Sequence, residues 1–379
     1  MRKYDIVKRV RYTQKKERKG FVYISILCFL QEVYRLKKLL RIVMITILIL
    51  AVDLYGKLLV SQYILTPSQS KQENKIVKKK KQVNEDSSDT VLNMIGGDSE
   101  NLLAKWGEPS RIEPSAYGYE WWVYNQDLAQ YVQFGVAERK IVTAYVAGEQ
   151  VKVPPYYINE KYEDVYKKNP LSHEISLKRG KNSYQFELSD TEVMEQPLVP
   201  VEDGWAQLYF DHFTHELVGV RYMDDETLLR QRPYQLVYSG ELLAEQPLTP
   251  DKMKQIENGN MQQIFDLTNI IRSRHNLPLL AWDQQTAEVA IGHSKDMKDN
   301  NYFSHDSPTL GTLGDRLQRG KVGFQLAGEN IAAQHSDGVA ALQGWLNSEG
   351  HRKNLLNEQF TGLGVGVYDK FYTQNFIRK

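Results

Sequence analysis

The 379-residue chain has a single cysteine, Cys28, and no long apolar run. One cysteine excludes an intramolecular disulfide framework and any multi-cysteine zinc or iron–sulfur site. The sequence also lacks an HExxH run and a G-x-S-x-G motif, so two common hydrolase signatures are missing. Because 41% of the residues are hydrophobic and 25% are charged, the composition is that of a globular protein rather than a disordered chain.

Acidic residues are scarce at the beginning of the chain. Residues 1–90 contain 20 lysines and arginines but 8 aspartates and glutamates, whereas the remaining residues carry a net charge of −11. An acidic folded part repels phosphates, so we expect no nucleic-acid partner. The asymmetry favours a basic, membrane-adjacent N-terminus followed by two acidic folded domains outside the membrane.

Residues 36–65 are predicted to form a signal-anchor helix. The apolar stretch Leu39–Val52 follows several basic residues, but its core, Ile42–Val52, is 11 residues long. A full span needs roughly 20 residues, so it must extend to Leu65 and include two charged side chains. The alternatives are a cleaved secretory signal, which would release the protein, and a buried core helix.

Residues 1–35 are a doubtful extension, because a secretory leader is normally short. The tripeptide Gln31-Glu32-Val33 can be encoded by a strong bacterial ribosome-binding sequence, which places an alternative start at Leu36; the other interpretation is an ordinary tripeptide. Residues 66–90 are polar and lack aromatic residues, which predicts a solvated basic linker. Its Lys78–Lys81 run is either a spacer or a contact for an anionic surface.

Residues 91–240 are predicted to form a β-rich domain. A short helix over Asp98–Lys105, capped by Asp98, precedes several strand-like segments. These segments are Tyr117–Tyr124, Tyr131–Phe134, Lys140–Val146, Tyr184–Leu188, Trp205–Phe210 and Leu217–Met223. The pair His212 and His215 has no obvious third ligand, so a surface turn is a better interpretation than a metal site.

Residues 241–257 are predicted to be a linker, and residues 258–379 a second domain. Apolar spacing indicates a helix over Gln255–His275, and Asp283 is placed to cap a second helix that runs to about Lys298. Shorter helices and two C-terminal strands are predicted at Leu313–Arg319, Gly338–Leu346, Gly362–Tyr368 and Phe371–Ile377. The three alternating glycines at Gly362, Gly364 and Gly366 indicate close backbone packing rather than a phosphate loop.

Two histidines and a carboxylate of the second domain are candidates for a shared cleft: His305, Glu329 and His351. Such groups can bind zinc, act as an acid–base pair, or hold a ligand by hydrogen bonds. A purely structural hydrogen-bonding role is also open, because dispersed histidines and a glutamate are not specific to any of these.

At these residues the sequence resembles a known family. The ordered motifs are Asn269-x-x-Arg272, His293-Ser294-x-Asp296-Met297, Tyr302-Phe303-Ser304-His305, Gly328-Glu329-Asn330-Ile331, Trp345-x-Asn347-Ser348-x-Gly350-His351-Arg352, Gly364-Val365-Gly366 and Tyr372-Thr373-Gln374. Together they resemble the bacterial branch of the CAP superfamily (cysteine-rich secretory proteins, antigen 5 and pathogenesis-related 1; also called SCP domains). The segment WGEPSR at 106–111, the aromatic strand Tyr117–Tyr124 and the segment QRPYQLVYSG at 231–240 make residues 91–240 similar to the CAP-associated N-terminal domain of Bacillus-like bacteria.

The resemblance implies an α+β chain, in which a β-rich domain precedes a CAP α-β-α sandwich with a central cleft. It also implies a tetrad of two histidines and two acidic residues, to which His305, Glu329 and His351 correspond. The animal pattern has its second glutamate three residues after the tryptophan, where this chain has Ser348. The next residue, Glu349, is one candidate for the fourth member, and the alternative is a site of three residues, His305, Glu329 and His351.

For function, the resemblance implies a protein of the bacterial cell envelope, either membrane-tethered by one span or secreted. We expect a non-enzymatic module whose His/Glu cleft binds an envelope ligand: a lipid, a cell-wall component or a protein. No cofactor is required, although His305 and His351 are candidate ligands for zinc or another divalent cation. The alternatives are a zinc-dependent, peptidase-like hydrolase that uses the same cleft and a purely structural envelope protein.

Overall fold

The computed structural model describes residues 90–379. The predicted extension, the signal-anchor and nearly all of the basic linker lie outside the described residues. Between Thr90 and Lys379, no helix is both long enough and apolar enough to cross a bilayer.

The described chain contains fourteen strands and nine α-helices. The strands are β1 Arg111–Pro114, β2 Glu120–Tyr124, β3 Val132–Ala137, β4 Lys140–Val146, β5 Glu174–Arg179, β6 Asn182–Glu187, β7 Leu198–Val201, β8 Gly204–Asp211, β9 Glu216–Met223, β10 Gln235–Ser239, β11 Ala281–Trp282, β12 Leu326–Ala333, β13 Gly362–Tyr368 and β14 Phe371–Arg378. The α-helices are α1 Ser99–Trp106, α2 Tyr162–Lys168, α3 Asp190–Glu195, α4 Asp225–Gln231, α5 Pro250–Arg274, α6 Gln284–Asp299, α7 Leu313–Arg319, α8 Gly338–Leu346 and α9 Glu349–Leu355.

The N-terminal part is built on two antiparallel sheets. Seven strands form one sheet in the order β1-β2-β3-β4-β9-β8-β7, and three form a second in the order β10-β6-β5. The predicted short helix is confirmed as α1, and the Asp98 side chain accepts a hydrogen bond from the Glu100 amide at its start. The turn between β8 and β9 contains His212 and His215, as predicted.

The first helix of the C-terminal part begins earlier than the sequence predicts. We expect helix from Gln255, but α5 begins at Pro250, because the Thr249 hydroxyl accepts a hydrogen bond from the Lys252 amide and proline is favourable in the first turn. The apolar positions that indicate this helix are buried, including Ile264 and Leu267. Part of the predicted linker is therefore helical.

The C-terminal sheet lies between helices. Its strands are ordered β11-β13-β14-β12. A Cβ at Gly364 or Gly366 would come within 2.1–2.2 Å of the α6 backbone at residues 287–291, so the two glycines permit close packing, as predicted. The alternate residues of β13, such as Val365, join a hydrophobic cluster that contains Ile264 of α5 on the other face.

The two parts share their hydrophobic interior. One buried cluster contains Tyr119, Trp121 and Tyr209 from the N-terminal sheets together with Ile264 and Trp345 from the C-terminal helices. Residues 90–379 accordingly belong to one compact unit. The prediction of a mixed α+β fold with a β-rich region is confirmed, whereas the individual domain boundaries stay predictions.

A half-buried histidine between β12 and α8 gives the fold a pH dependence. Burial lowers the pKa of His335 below its ordinary value of about 6.5, against the opposing effect of the Asp337 charge. As the pH falls below about 6.5, this histidine takes up a proton in the unfolded chain before it does so in the folded chain. The folded state therefore loses stability between the ordinary pKa of the unfolded chain and the lower pKa of the folded chain. Replacing His335 by glutamine is expected to reduce the loss of melting temperature between pH 7.5 and 5.5, measured by thermal denaturation. An equal loss in both proteins would contradict this assignment.

Candidate functional site

Three parts of the C-terminal domain bring His305, Glu329 and His351 together. His305 lies in the loop after α6, Glu329 lies on β12, and His351 lies in α9. The loop is fixed to α6 by the Asp296 carboxylate, which accepts a hydrogen bond from the Ser307 hydroxyl at 2.6 Å. Strand β12 is fixed by antiparallel pairing with β14. The cleft residues are thus held by separate, well-connected elements.

The carboxylate of Glu329 orients the ring of His305. The His305 Nδ1–H donates to Glu329 Oε1 over 3.0 Å, and this hydrogen bond is the main reason why the pKa of His305 is raised. The Glu329 side chain is 3% exposed, whereas that of His305 is 54% exposed. With Nδ1 engaged, Nε2 is the His305 atom available to a ligand.

Arg316 is a site residue that sequence reasoning missed. Its Nη2 donates to Glu329 Oε2 over 2.6 Å, and both side chains are 3% exposed. Its Nη1 donates to the His305 carbonyl over 2.7 Å. The capping box at Thr312 predicts the short helix α7, but no local pattern places Arg316 next to Glu329. Because the guanidinium engages the second oxygen, both oxygens of Glu329 have partners.

His293 lies beneath the site. Its side chain on α6 is fully buried, and its Nε2–H donates to the Ser304 carbonyl over 3.1 Å. Glu329 Oε1 is 3.8 Å from the same nitrogen. Burial lowers the pKa of His293, so the ring is neutral and supports the backbone next to His305.

His351 faces His305. The two ring centroids are 6.5 Å apart. Burial, followed by the neighbouring His305, lowers the pKa of His351 and favours its neutral form. Helix α9 is tied to β12, since Asn354 Nδ2 donates to the Glu329 carbonyl over 3.0 Å and Asn330 Nδ2 donates to the His351 carbonyl over 3.1 Å.

Glu349 stands apart from the other three candidates. It is the first residue of α9, its side chain is 75% exposed, and it pairs with Lys353 Nζ at 2.8 Å. The hydrogen bond from Lys353 lowers the pKa of Glu349. The structure gives this carboxylate no hydrogen bond or ion pair to the two cleft histidines. Its assignment as the fourth member of the tetrad stays a prediction.

The donor set limits how a metal ion would be held. Within residues 90–379, no three histidine, cysteine, aspartate or glutamate side chains are grouped to hold a metal ion. Because Glu329 is engaged by Arg316 and His305, the available donors are the two cleft imidazoles. Two imidazoles are fewer than the three protein ligands of a catalytic zinc site and the four of a structural zinc site.

The chain is similar to two proteins of Bacillus subtilis (strain 168). It is 48% identical over 289 residues to the membrane protein YlbC, an alignment that covers 76% of this chain and 84% of YlbC. It is 41% identical over 120 residues to YkwD, covering 31% of this chain and 47% of that protein.

Two solved structures share the fold. An extracellular protein containing a SCP domain from Bacillus anthracis str. Ames is 97% identical with a TM-score of 0.76, and the match covers 80% of this chain and 100% of that one. A cysteine-rich secretory protein from Staphylococcus aureus subsp. aureus Mu50 is 26% identical with a TM-score of 0.68, and covers 77% of this chain and 93% of that one.

The family sequence models match in the order that the motifs predict. The CAP-associated N-terminal model matches residues 95–234, and the model of the cysteine-rich secretory protein family, CAP, matches residues 265–377. With 48% identity over most of YlbC, the chain belongs to the CAP family, as a member with a CAP-associated N-terminal domain.

Proposed function

We propose that this protein is an outward-facing module of the bacterial cell envelope that binds a ligand between His305 and His351. The observation on which the proposal rests is that both carboxylate oxygens of Glu329 already have hydrogen-bond partners. Its carboxylate is buried and engaged by Arg316 and His305, so its role is to orient the His305 ring and leave Nε2 open. The ligand is a lipid, a cell-wall component or a protein of the envelope.

The location rests on the predicted anchor and on the names of relatives. YlbC is named as a membrane protein, and the Bacillus anthracis relative is named as extracellular. The basic residues precede the apolar stretch at 39–52, which favours export of the following domains. We propose a single-pass tether at residues 36–65, with release into the medium as the alternative if the leader is cleaved.

A divalent cation is an optional part of this function. When bound between His305 and His351, such an ion would supply a Lewis acid or bridge an anionic group of the ligand. The engaged carboxylate of Glu329 orients a histidine in the way that carboxylates orient metal-ligating histidines in other proteins. This contact is also what favours the second candidate function, a zinc-dependent hydrolase.

The chain's own groups weigh against hydrolysis as the main activity. A hydrolase of this kind needs a free carboxylate to take a proton from the attacking water. Glu329 already accepts from Arg316 and His305, and the exposed Glu349 is paired with Lys353. Binding through the imidazoles requires neither carboxylate.

The test uses the fragment 82–379, because a crystallised relative that is 97% identical covers a similar share of the chain. Replacing His305 and His351 together by alanine is expected to abolish retention of radiolabelled envelope material and to weaken zinc binding at least about tenfold. Glu329 keeps its ion pair with Arg316 but loses the hydrogen bond from His305, so some stability is lost, and retention is compared at a temperature at which both proteins are folded. The measurements are retention on immobilised protein and zinc titration calorimetry.

The control is Asp299→Ala, which removes an exposed carboxylate of α6 that pairs with Lys295 and is not a candidate site residue. Equal retention by wild type, control and double variant would contradict the proposed cleft. Zinc-dependent cleavage of envelope peptides by wild type, lost in the double variant, would favour the hydrolase instead.

A further inference from the structure

The N-terminal domain binds the segment that leads to His351. We name its contact the interdomain clasp: Phe210 and Asp211 at the end of β8, with Asn347 and Arg352 around the start of α9. The Phe210 carbonyl accepts hydrogen bonds from Asn347 Nδ2 over 2.9 Å and from Gln343 Nε2 over 2.5 Å. The amide of the following turn, at position 212, donates to Asn347 Oδ1 over 3.0 Å. The backbone at the end of β8 in the N-terminal domain is therefore bound by side chains of the C-terminal domain.

A buried ion pair completes the clasp. Asp211 Oδ2 lies 2.7 Å from Arg352 Nη1, and the two side chains are 1% and 12% exposed. The guanidinium also lies 4.8 Å from the centroid of the Phe213 ring. From its own domain, Arg352 meets the ring of His275, with Nη2 and Nε2 3.3 Å apart. Because a planar guanidinium is held from several sides, its position is closely defined.

The other end of the same segment is also held by the N-terminal domain. Arg221 Nη2 lies 2.8 Å from Asp337 Oδ2 at the start of α8, and the Tyr117 hydroxyl donates to the Ser336 carbonyl over 2.9 Å. Helix α8 is thus fixed at both ends to the N-terminal sheets. The chain between β12, which carries Glu329, and α9 is supported from outside its own domain.

From this geometry we infer that the CAP-associated domain sets the position of His351 through the clasp, with Asp211 as its positioning residue. The inference rests on the proposed function in one respect: it assumes that the separation of His305 and His351 matters for the ligand. Arg352 is the neighbour of His351 in α9, so a shift of this guanidinium moves the His351 backbone. If the domain contact raises the affinity for a ligand that bridges the two imidazoles, that ligand strengthens the domain contact by the same factor.

The test compares Asp211→Asn with wild type in the fragment 82–379. Asparagine keeps the size of the side chain but removes the charge that faces Arg352. Two readouts are taken: the ¹⁵N and ¹H signals of the histidine rings in metal-free protein, and the affinity for zinc. We expect the His351 ring signals to shift more than those of His293, and the zinc affinity to fall about two- to thirtyfold, the range for substitutions that act through a coupled element.

The matched control is Asp164→Asn, which neutralises an exposed carboxylate of α2 that pairs with Lys167 of the same helix. The control should leave both readouts at the wild-type values. Unchanged ring signals and unchanged zinc affinity in folded Asp211→Asn protein would overturn the inference.

Two further outcomes distinguish a failure of the clasp inference from a failure of the proposed ligand-binding function. If wild type binds no zinc, the metal arm of the proposed function fails, and the His351 ring signals alone decide the clasp. If Asp211→Asn does not fold, Phe213→Ala replaces it, because that ring is 43% exposed and its loss spares the core. A smaller shift of the same His351 signals would support the clasp, and no shift would overturn it.

Discussion

Replacing Glu329 by alanine is expected to lower the free energy of unfolding by about 3–5 kcal/mol. The reason is that Arg316, the ion-pair partner of Glu329, stays buried after the substitution. Arg316 is 3% exposed, and without Glu329 its guanidinium keeps a buried positive charge with backbone carbonyls as partners but no carboxylate. Urea unfolding followed by circular dichroism measures the difference. The His305 ring should become mobile in the same variant, since its hydrogen-bond acceptor is lost.

Two companion variants separate the buried pair from a general effect of removing a carboxylate. Glu349→Ala should leave the unfolding midpoint close to that of wild type, because the side chain is exposed and paired in solvent. Replacing Glu329 by leucine and Arg316 by methionine together should recover much of the lost stability, because no unpaired charge is then buried. A Glu329→Ala protein as stable as Glu349→Ala would show that the pair with Arg316 contributes nothing.

Local sequence signals predict the elements of this fold well. The helix from residue 284 begins as expected because Asp283 accepts from the Thr286 amide, a short-range cap visible in the sequence. The periodic apolar residues of α5 are buried, and the glycines of β13 lie against a helix. Such features depend on neighbours a few residues apart, so the sequence alone suffices.

The contacts between distant residues could not be predicted in the same way. Arg316 reaches Glu329 from 13 positions away, and Asp211 reaches Arg352 from 141 positions away. No periodicity encodes such pairs, because they arise only when separate elements pack. The resemblance identifies His305, Glu329 and His351, but it does not show that Glu329 is saturated or that Glu349 pairs with Lys353.

The pair Arg221 and Asp337 carries the second large expected effect. Arg221 is 1% exposed at its side chain, lies 5.7–6.0 Å from three aromatic ring centroids, and pairs with Asp337 across the domain contact. Replacing Asp337 by serine is expected to lower the free energy of unfolding by about 3–5 kcal/mol, because the arginine stays buried without its counter-charge. Serine keeps an oxygen that can cap α8, so the ion pair is tested alone. Urea unfolding of the fragment 82–379 gives the value.

Comparing the stabilities of further variants separates the contribution of the helix cap from that of the ion pair. Asp337→Ala should cost about 1 kcal/mol more than Asp337→Ser, since alanine also removes the acceptor for the Ala340 amide. Arg139→Met, which deletes an exposed pair with Glu100, should change stability by less than about 1 kcal/mol. If Asp337→Ser were as stable as Arg139→Met, the pair of Arg221 and Asp337 would contribute nothing measurable to the domain contact. A loss as large as expected, with a single unfolding transition, would mean that the two domains unfold together and that this buried pair couples them.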